Sequence, residues 1–236
     1  MPRILDNSQR FRYAIIFQWI VVGASLLSMA SEASQYVLLR QMGAGIEVAD
    51  GAADASDWRE QVMGSTQFVL MLLAFIALVL WTYRAYENLH GLRQFPRLRH
   101  SAGAAGWGWF VPILSLWYPY QVMRDIWHLT QRYERPAGTA GYERDHTLIG
   151  GWWALRLLTI YASRGFKAPV GGETIERIQN YVLFLIGMDV LHIWCALATI
   201  YLLKKLHLFE QGLAARVADD EPSPSPEKLP VAPAAA

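Results

Sequence analysis

Long, continuous apolar stretches dominate this chain. Soluble domains instead have helices with one apolar face or strands in which apolar and polar residues alternate. The first stretch covers residues 13–31, and the second covers residues 63–83 and contains the run FVLMLLAFIALVLW. A helix rises 1.5 Å per residue, so about 20 apolar residues cross a hydrocarbon layer of roughly 30 Å. Each of these stretches therefore predicts a transmembrane helix.

Two further apolar stretches lie in the C-terminal half of the chain. Residues 147–163 are interrupted by Arg156, and residues 178–203 contain Asp189 and His192. They predict a third and a fourth membrane-spanning helix, of which the third is short and carries a charge near its middle.

The apolar segment at residues 104–120 differs from these four because it is short and contains Pro112 and Pro119. A proline inside a helix removes a hydrogen bond and kinks or ends the helix. We therefore expect Pro112 to end one helix and Pro119 to begin the next. The segment either enters the membrane and returns or lies in the interface. Residues 119–134 then repeat apolar side chains at helical spacing, which predicts an amphipathic helix.

Lysine and arginine decide the predicted topology, because cytoplasmic loops carry an excess of both. They collect in residues 1–12, in the loop at residues 84–100, in residues 124–144 and after the last span. Both termini and residues 90–145 are therefore expected in the cytoplasm, which leaves residues 104–120 re-entrant or interfacial rather than crossing. Arg164 and Lys167 are the exception, since they are expected outside.

Composition agrees with an integral membrane protein. Hydrophobic residues make up 53% of the chain, charged residues 17%, and the ten Trp and eleven Tyr suit membrane interfaces. The net charge of +1 gives no reason to expect a nucleic-acid partner. The sequence thus predicts an all-α, multi-pass cell-membrane protein whose membrane domain covers residues 13–210, followed by a disordered cytoplasmic tail at residues 211–236 that is rich in Ala, Pro and Ser.

Few residues suggest chemistry. No nucleophile or metalloprotease motif such as G-x-S-x-G or H-E-x-x-H is present, so an enzyme is the least favoured class. A single cysteine, Cys195, excludes an internal disulfide and any multi-cysteine metal site. The histidines do not pair at helical spacing, although His100, His128 and His146 could meet at the cytoplasmic face. We expect neither a metal nor a cofactor.

The charged residues within the spans form the main candidate site. We predict that Arg156 faces the bundle interior and pairs with Asp189, with His192 one turn away, because burying either charge alone is costly. The alternative is that Arg156 reaches an interface with its long side chain while Asp189 is protonated.

Two sequence blocks resemble a bacterial membrane family called domain of unknown function 4328. They are WTYRAYENL at residues 81–89 and SAGAAGWGWFVPILSLWYPYQVMRDIW at residues 101–127. The residues that carry the resemblance are Arg84, Asn88, Trp109, Phe110, Pro112, Pro119, Tyr120, Asp125, Trp127, Trp152 and Trp153. Asp125, where the family more often has Glu, and Tyr118, where a basic residue often stands, depart from its pattern. The resemblance covers roughly residues 63–205 and implies a membrane architecture without an established activity.

Two functions remain open on the sequence. In the first, the protein is a binding, scaffold or regulatory component that recruits partners at its cytoplasmic face. In the second, it is a small channel or transporter, possibly oligomeric, that uses the polar residues between spans. The amphipathic helix is expected to meet anionic lipid, with a protein partner or a second copy as the alternative. Arg84, Glu87 and Asn88 either form a polar binding cluster or anchor the end of a span.

Overall fold

The computed structural model describes residues 4–92, 98–132, 143, 145–163 and 174–219. Within these residues the protein is all-helical. The helices are α1 (Ser8–Gly43), α2 (Ala52–His90), α3 (Ala102–Trp107), α4 (Tyr118–Arg132), α5 (Thr147–Ala162) and α6 (Ile175–Asp219), with a 3-10 turn at Leu114–Leu116 between α3 and α4.

Helices α1, α2 and α6 are each long and apolar enough to cross a membrane. Many of their large apolar side chains point outward, among them Leu27, Phe68 and Trp194, as expected for helices that face lipid. The bounds of α5 match the predicted third span, but its length is about 24 Å, less than a typical hydrocarbon layer. All three long helices extend beyond the predicted spans. As a result, the connection between α1 and α2 is short and covers only residues 44–51.

Hydrogen bonds between side chains fix how the helices are aligned. Gln67 of α2 donates to Ser25 of α1, while the Asn7 amide before α1 donates to the carbonyl of Trp81, so α1 and α2 run antiparallel. Gln67 also donates to Asp189, and Asn88 donates to Glu210, which aligns α2 and α6 in parallel.

The bundle therefore has two ends. The termini end contains residues 4–7, the end of α2, the start of α4 and the last turns of α6. The start of α5 lies there too, since Lys205 binds the Glu143 carboxylate at 2.5 Å. The hairpin end contains the connection at residues 44–51 and the start of α6. A Cβ added to Gly43 there would lie 3.5 Å from Ile175.

The segment with the two prolines enters and leaves the bundle at the termini end. On entry, the backbone N–H of His100 donates to the Tyr86 hydroxyl at 3.3 Å, and on return the Tyr118 ring lies 4.4 Å from the His100 ring. Between these points the Phe110 ring meets Phe75, at 5.5 Å between centroids. Along α2, Tyr86 and Phe75 are about 16 Å apart. The segment thus runs about 16 Å into the bundle, a distance equal to roughly half of a typical hydrocarbon layer, and turns back; because it re-enters the bundle in this way, we call it the re-entrant segment.

Pro119 stands in the first turn of α4, as predicted. The prediction for Pro112 is wrong, because α3 already ends at Trp107. A Cβ on the next residue, Gly108, would lie 2.7 Å from the Ala104 carbonyl oxygen and 2.8 Å from the Tyr118 ring. The chain bends where Gly108 allows this close approach. Pro112 lies in the following turn, where its carbonyl accepts from the Ser115 hydroxyl at 2.9 Å.

The predicted amphipathic helix is α4, and its apolar side packs inside the protein. Val122, Met123, Ile126 and Trp127 are all 0–1% exposed. This face is occupied by the bundle and is not available to lipid or to a partner. The part of the prediction beyond Arg132 lies outside the described residues.

Helix α6 continues past residue 211, where the disordered tail was expected, and ends at Asp219. The extension is held by burial of Leu213 and Val217 and by Arg216, which donates to the Thr130 carbonyl at 2.9 Å. The tail prediction was wrong for this stretch because these contacts come from other helices. Residues 220–236, like Arg164 and Lys167, lie outside the described residues.

Candidate functional site

Arg156 lies deep in the bundle. Its guanidinium stands over two aromatic rings, at 5.6 Å from the centroid of Phe75 and 5.9 Å from that of Trp109. Phe75 is in the middle of the apolar run of α2, so Arg156 is at the same depth. Among the ion pairs of the described residues, none involves Arg156. The aromatic faces are its partners, through cation–π attraction.

Two cavities of about 190 Å³ each meet at Arg156. The first lies between α1, α2, α5 and α6, where Gln18, His192 and Cys195 line it. The second lies between α5 and the re-entrant segment, where Trp109 and Pro112 contribute to its wall. Each cavity is large enough for several water molecules or a small solute.

Asp189 and His192 come together, as their spacing predicts. The Oδ1 atom of Asp189 accepts from the Gln67 amide and lies 3.5 Å from Nδ1 of His192. The Asp189 residue is only 3% exposed. Its second oxygen, Oδ2, has no hydrogen-bond partner within the described part of the chain.

The direct ion pair between Arg156 and Asp189 was predicted wrongly. The Trp152 indole donates to the Thr199 hydroxyl at 2.9 Å, and this bond sets the antiparallel alignment of α5 and α6. Arg156 consequently lines the same cavity as Cys195. Asp189 is about 9 Å from Cys195 along the axis of α6. Because Arg156 lies at the level of Cys195, its guanidinium does not reach Asp189. His192 lies between them and lines the Arg156 cavity, so the three residues belong to one polar region.

A polar face of α1, which the sequence analysis missed, completes this region. Gln18, Ser25, Ser28 and Glu32 are each at most 4% exposed, and the Ser28 hydroxyl donates to Glu32 at 3.4 Å. The spacing of these residues could have predicted a polar face, since Gln18, Ser25 and Glu32 recur every two helical turns within an apolar stretch. At the hairpin end, Ser31 donates to the Glu60 carboxylate at 2.6 Å.

Three tryptophans of the family motif join the re-entrant segment to α5. Trp109 packs edge-to-face on Trp152 and Trp153, with centroids 6.4 Å and 6.2 Å apart. The Trp153 indole donates to the Leu116 carbonyl at 2.8 Å. Phe110 is 61% exposed at the tip of the segment. Trp152 and Trp153 therefore fix the position of Trp109, whose ring contacts Arg156.

Asn88 ties the N-terminal segment to the end of α2. Its amide oxygen accepts from the Leu5 backbone N–H and its amide nitrogen donates to the Leu5 carbonyl, both at 2.9 Å. It also donates to Glu210 at 3.2 Å, and Asn7 donates to the same carboxylate at 3.1 Å. Arg84 pairs with Glu87 at 3.3 Å. We call Leu5, Asn7, Asn88, His207 and Glu210 the terminal junction.

The remaining motif residues hold α4 in place. Tyr86 donates to the Asp125 carboxylate at 3.3 Å, and burial raises the pKa of Asp125 above its ordinary value. The Trp127 indole donates to the Glu143 carbonyl at 3.1 Å, while Lys205 lies 5.0 Å from the centre of its ring. Arg124 lies over the Tyr120 ring at 5.7 Å.

Two of the three histidines considered for a metal site meet. Nε2 of His128 is 3.3 Å from Nδ1 of His146, whereas the ring of His100 binds Gln121 at 2.9 Å. Burial lowers the pKa of His128 below its ordinary value. The structure, over the residues it describes, brings no three metal-ligating side chains together.

Comparison with known proteins supports the resemblance noted in the sequence. The family model described as Domain of unknown function (DUF4328) matches residues 44–207. This range includes the motif residues from Arg84 to Trp153 as well as Arg156, Asp189 and His192, whereas α1 lies outside it. No curated protein and no solved structure matches the chain. Because the match covers more than half of the sequence, the chain belongs to the DUF4328 family.

Proposed function

We propose that this protein is a small membrane channel or transporter that binds an anion at Arg156, between its spans. The observation that carries the proposal is the position of half-buried Arg156 at the middle of the bundle, where two cavities meet and no described carboxylate forms an ion pair with it. A central arginine costs about 2.5 to 3.5 kcal/mol on the insertion scale. Cation–π contacts offset about 0.5 to 2 kcal/mol of this cost. An anion in either cavity would offset the rest.

The architecture around Arg156 supports this function. Broken segments that penetrate a membrane line binding sites in transporters, because their backbone groups need protein or water as partners. Here the broken segment contributes Trp109 and Pro112 to the second cavity. Both cavities lie within one copy of the chain, so the site requires no second subunit.

Recruitment of partners through α4 has weaker support. The apolar side of α4 is buried in the bundle, which leaves its basic side, with Arg124 and Arg132, for contact with anionic lipid. That lipid contact remains part of the proposal.

The proposed topology has four spans, α1, α2, α5 and α6, with the termini end in the cytoplasm. Most described lysines and arginines outside the apolar runs lie at the termini end, whereas Arg40, Arg59 and Arg177 lie at the hairpin end. Reporter fusions after Glu60 and after Lys167 should report an external location, and a fusion after Arg135 a cytoplasmic one. An external signal after Arg135 would mean that residues 104–120 cross the membrane.

Anion passage can be tested in proteoliposomes. Vesicles with valinomycin are placed in potassium chloride, nitrate, phosphate or lactate, and swelling is followed by light scattering. At least one salt should enter faster than into protein-free vesicles, and Arg156→Gln should reduce that rate to the protein-free level. Arg40→Gln, which removes an exposed arginine of α1, should behave as wild type.

Size-exclusion chromatography establishes that each variant is folded before reconstitution. The proposal is refuted by wild-type rates equal to those of empty vesicles for all four salts. Equal rates for wild type and a folded Arg156→Gln variant refute it as well.

A further inference from the structure

Glu32 and Asp189 are buried carboxylates in the interior of the bundle that form no ion pair with Lys or Arg in the described part of the chain. They are 4% and 3% exposed. The Oε2 atom of Glu32 and the Oδ2 atom of Asp189 are buried without a hydrogen-bond partner among the described residues. Burying a carboxylate that lacks a counter-charge and a hydrogen-bond partner for one oxygen is costly, so each of these side chains needs a proton or a cation to complete its surroundings.

The groups that face the two carboxylates are mostly neutral or negative. Toward Glu32, α1 presents Ser28 and α2 presents Glu60, and the charges of Glu60 and Asp189 both act against a charge on Glu32. The nearby Arg59 is engaged by Glu60, at 3.4 Å. Nothing on these two helices neutralises Glu32.

Around Asp189, α2 presents Gln67 and α6 presents His192. The nearest charge on α5 is Arg156, which stands on its two aromatic rings and does not pair with Asp189. The Nδ1 atom of His192 is itself buried and, within the described residues, has no hydrogen-bond partner. The His192 ring thus lies between the two groups: its Nδ1 atom faces Asp189, and the residue also lines the Arg156 cavity.

These residues lie along a polar line from the hairpin end to Arg156. Hydrogen bonds join Ser31 to Glu60, Ser28 to Glu32, and Ser25 through Gln67 to Asp189, which faces His192. Between Glu60 and Glu32, and between Ser28 and Ser25, the described residues form no direct hydrogen bond, so a water molecule would have to bridge each of these two steps.

We propose that Glu32 and Asp189 take up protons from the hairpin end and couple proton entry to anion passage at Arg156. This inference rests on the proposed anion function. A hydronium ion at the hairpin end gives its proton to Glu32, and the proton moves through the hydroxyls and water to Asp189, which returns Glu32 to its carboxylate form. Asp189 passes the proton to Nδ1 of His192. The imidazolium and Arg156 then hold the anion, and proton and anion leave together.

Proton uptake can be measured without transport, by infrared difference spectroscopy of the protein in lipid nanodiscs between acidic and alkaline pH. Protonated buried carboxyl groups give a carbonyl band that ionised groups lack. Glu32→Gln and Asp189→Asn should each remove part of this band, and the double variant should remove most of it. Glu47→Gln, at an exposed position of the hairpin end, should leave it unchanged. A band that is the same in wild type, Glu32→Gln and Asp189→Asn overturns the proposal.

Coupling is measured in proteoliposomes with chloride or nitrate and an acidic outside solution. The gradient should raise anion uptake several-fold in wild type and in Glu47→Gln. Glu32→Gln should lose this response and keep the uptake measured without a gradient, and Asp189→Asn should lose the response as well. If anion uptake occurs and ignores the gradient, the coupling is wrong and the proposed function stands.

Two other outcomes are decisive. Absence of anion uptake under all conditions refutes the proposed function, and with it the coupling. Uptake that depends on sodium at constant pH, and loses this dependence in Asp189→Asn, would identify a sodium site in place of the proton site.

Discussion

The terminal junction and the interior around Arg156 are both polar regions of one apolar bundle, and they differ in how their groups are paired. In the junction, every polar side-chain atom of Asn88 and Glu210 has a partner, and Oδ1 of Asn7 is the exception among the described junction residues. In the interior, one oxygen of Asp189 has no partner within the described residues, and two cavities border Arg156. Paired polar groups stabilise a fold, whereas unpaired ones beside a cavity are free to bind. The first region is therefore structural and the second is the functional candidate.

The largest effect should come from breaking the junction at Asn88. Asn88→Ala leaves the Leu5 N–H and carbonyl without partners and removes a donor to Glu210. A hydrogen bond between neutral groups contributes about 0.5 to 1.5 kcal/mol and one to a charged group about 1.5 to 3 kcal/mol, so loss of these three bonds should cost several kcal/mol of stability. Thermal unfolding in detergent measures this loss. Asn180→Ala, at an exposed position of α6, should leave the unfolding temperature unchanged.

A matched pair of carboxylate-to-amide changes sharpens the comparison. Glu210→Gln weakens hydrogen bonds to a charged group and should cost about 1.5 to 3 kcal/mol. Asp189→Asn removes an uncompensated buried charge while Oδ1 still accepts from Gln67, so stability should be unchanged or higher. The unfolding temperatures of the two variants are compared with wild type. A larger loss in Asp189→Asn than in Glu210→Gln would reverse the assignment of the two regions.

A smaller effect is expected where the re-entrant segment meets α5. Trp153→Phe keeps an aromatic ring and removes the bond to the Leu116 carbonyl, which should cost about 1 kcal/mol. The unfolding temperature should fall by a small but measurable amount. Trp58→Phe, which changes a side chain that is 69% exposed, should have no effect. Equal stabilities of Trp153→Phe and wild type would show that this bond does not hold the segment.

The smallest effect concerns pH, at Asp125 on α4. Burial raises the pKa of Asp125, so the folded protein holds this proton more tightly than the unfolded chain does. The contribution to stability is full below the ordinary pKa of aspartate and is lost as pH rises through the raised pKa. Asp125→Asn should remove this part of the pH dependence. Unfolding temperatures measured across the acidic range test it, and identical pH profiles would contradict it.

Much of the helical framework could be predicted from the sequence. The four apolar stretches correctly predicted the positions of α1, α2, α5 and α6. The two prolines correctly predicted that residues 104–120 do not form one straight helix. The blocks around Trp81 and Trp109 identified the family. These features are local, because hydropathy, helical spacing and the conformational limits of proline act within a few turns of chain.

The tertiary structure alone decided which polar groups meet. The sequence placed Arg156 and Asp189 on neighbouring helices, but the alignment set by Trp152 and Thr199 puts Arg156 at the level of Cys195, about 9 Å along α6 from Asp189. It also placed the apolar side of α4 inside the bundle and the polar face of α1 beside Asp189. Two uniformly apolar helices can pack in several registers that differ by whole turns and bury nearly the same apolar area. Their relative position depends on side-chain bonds across the bundle, which no local pattern along the chain contains.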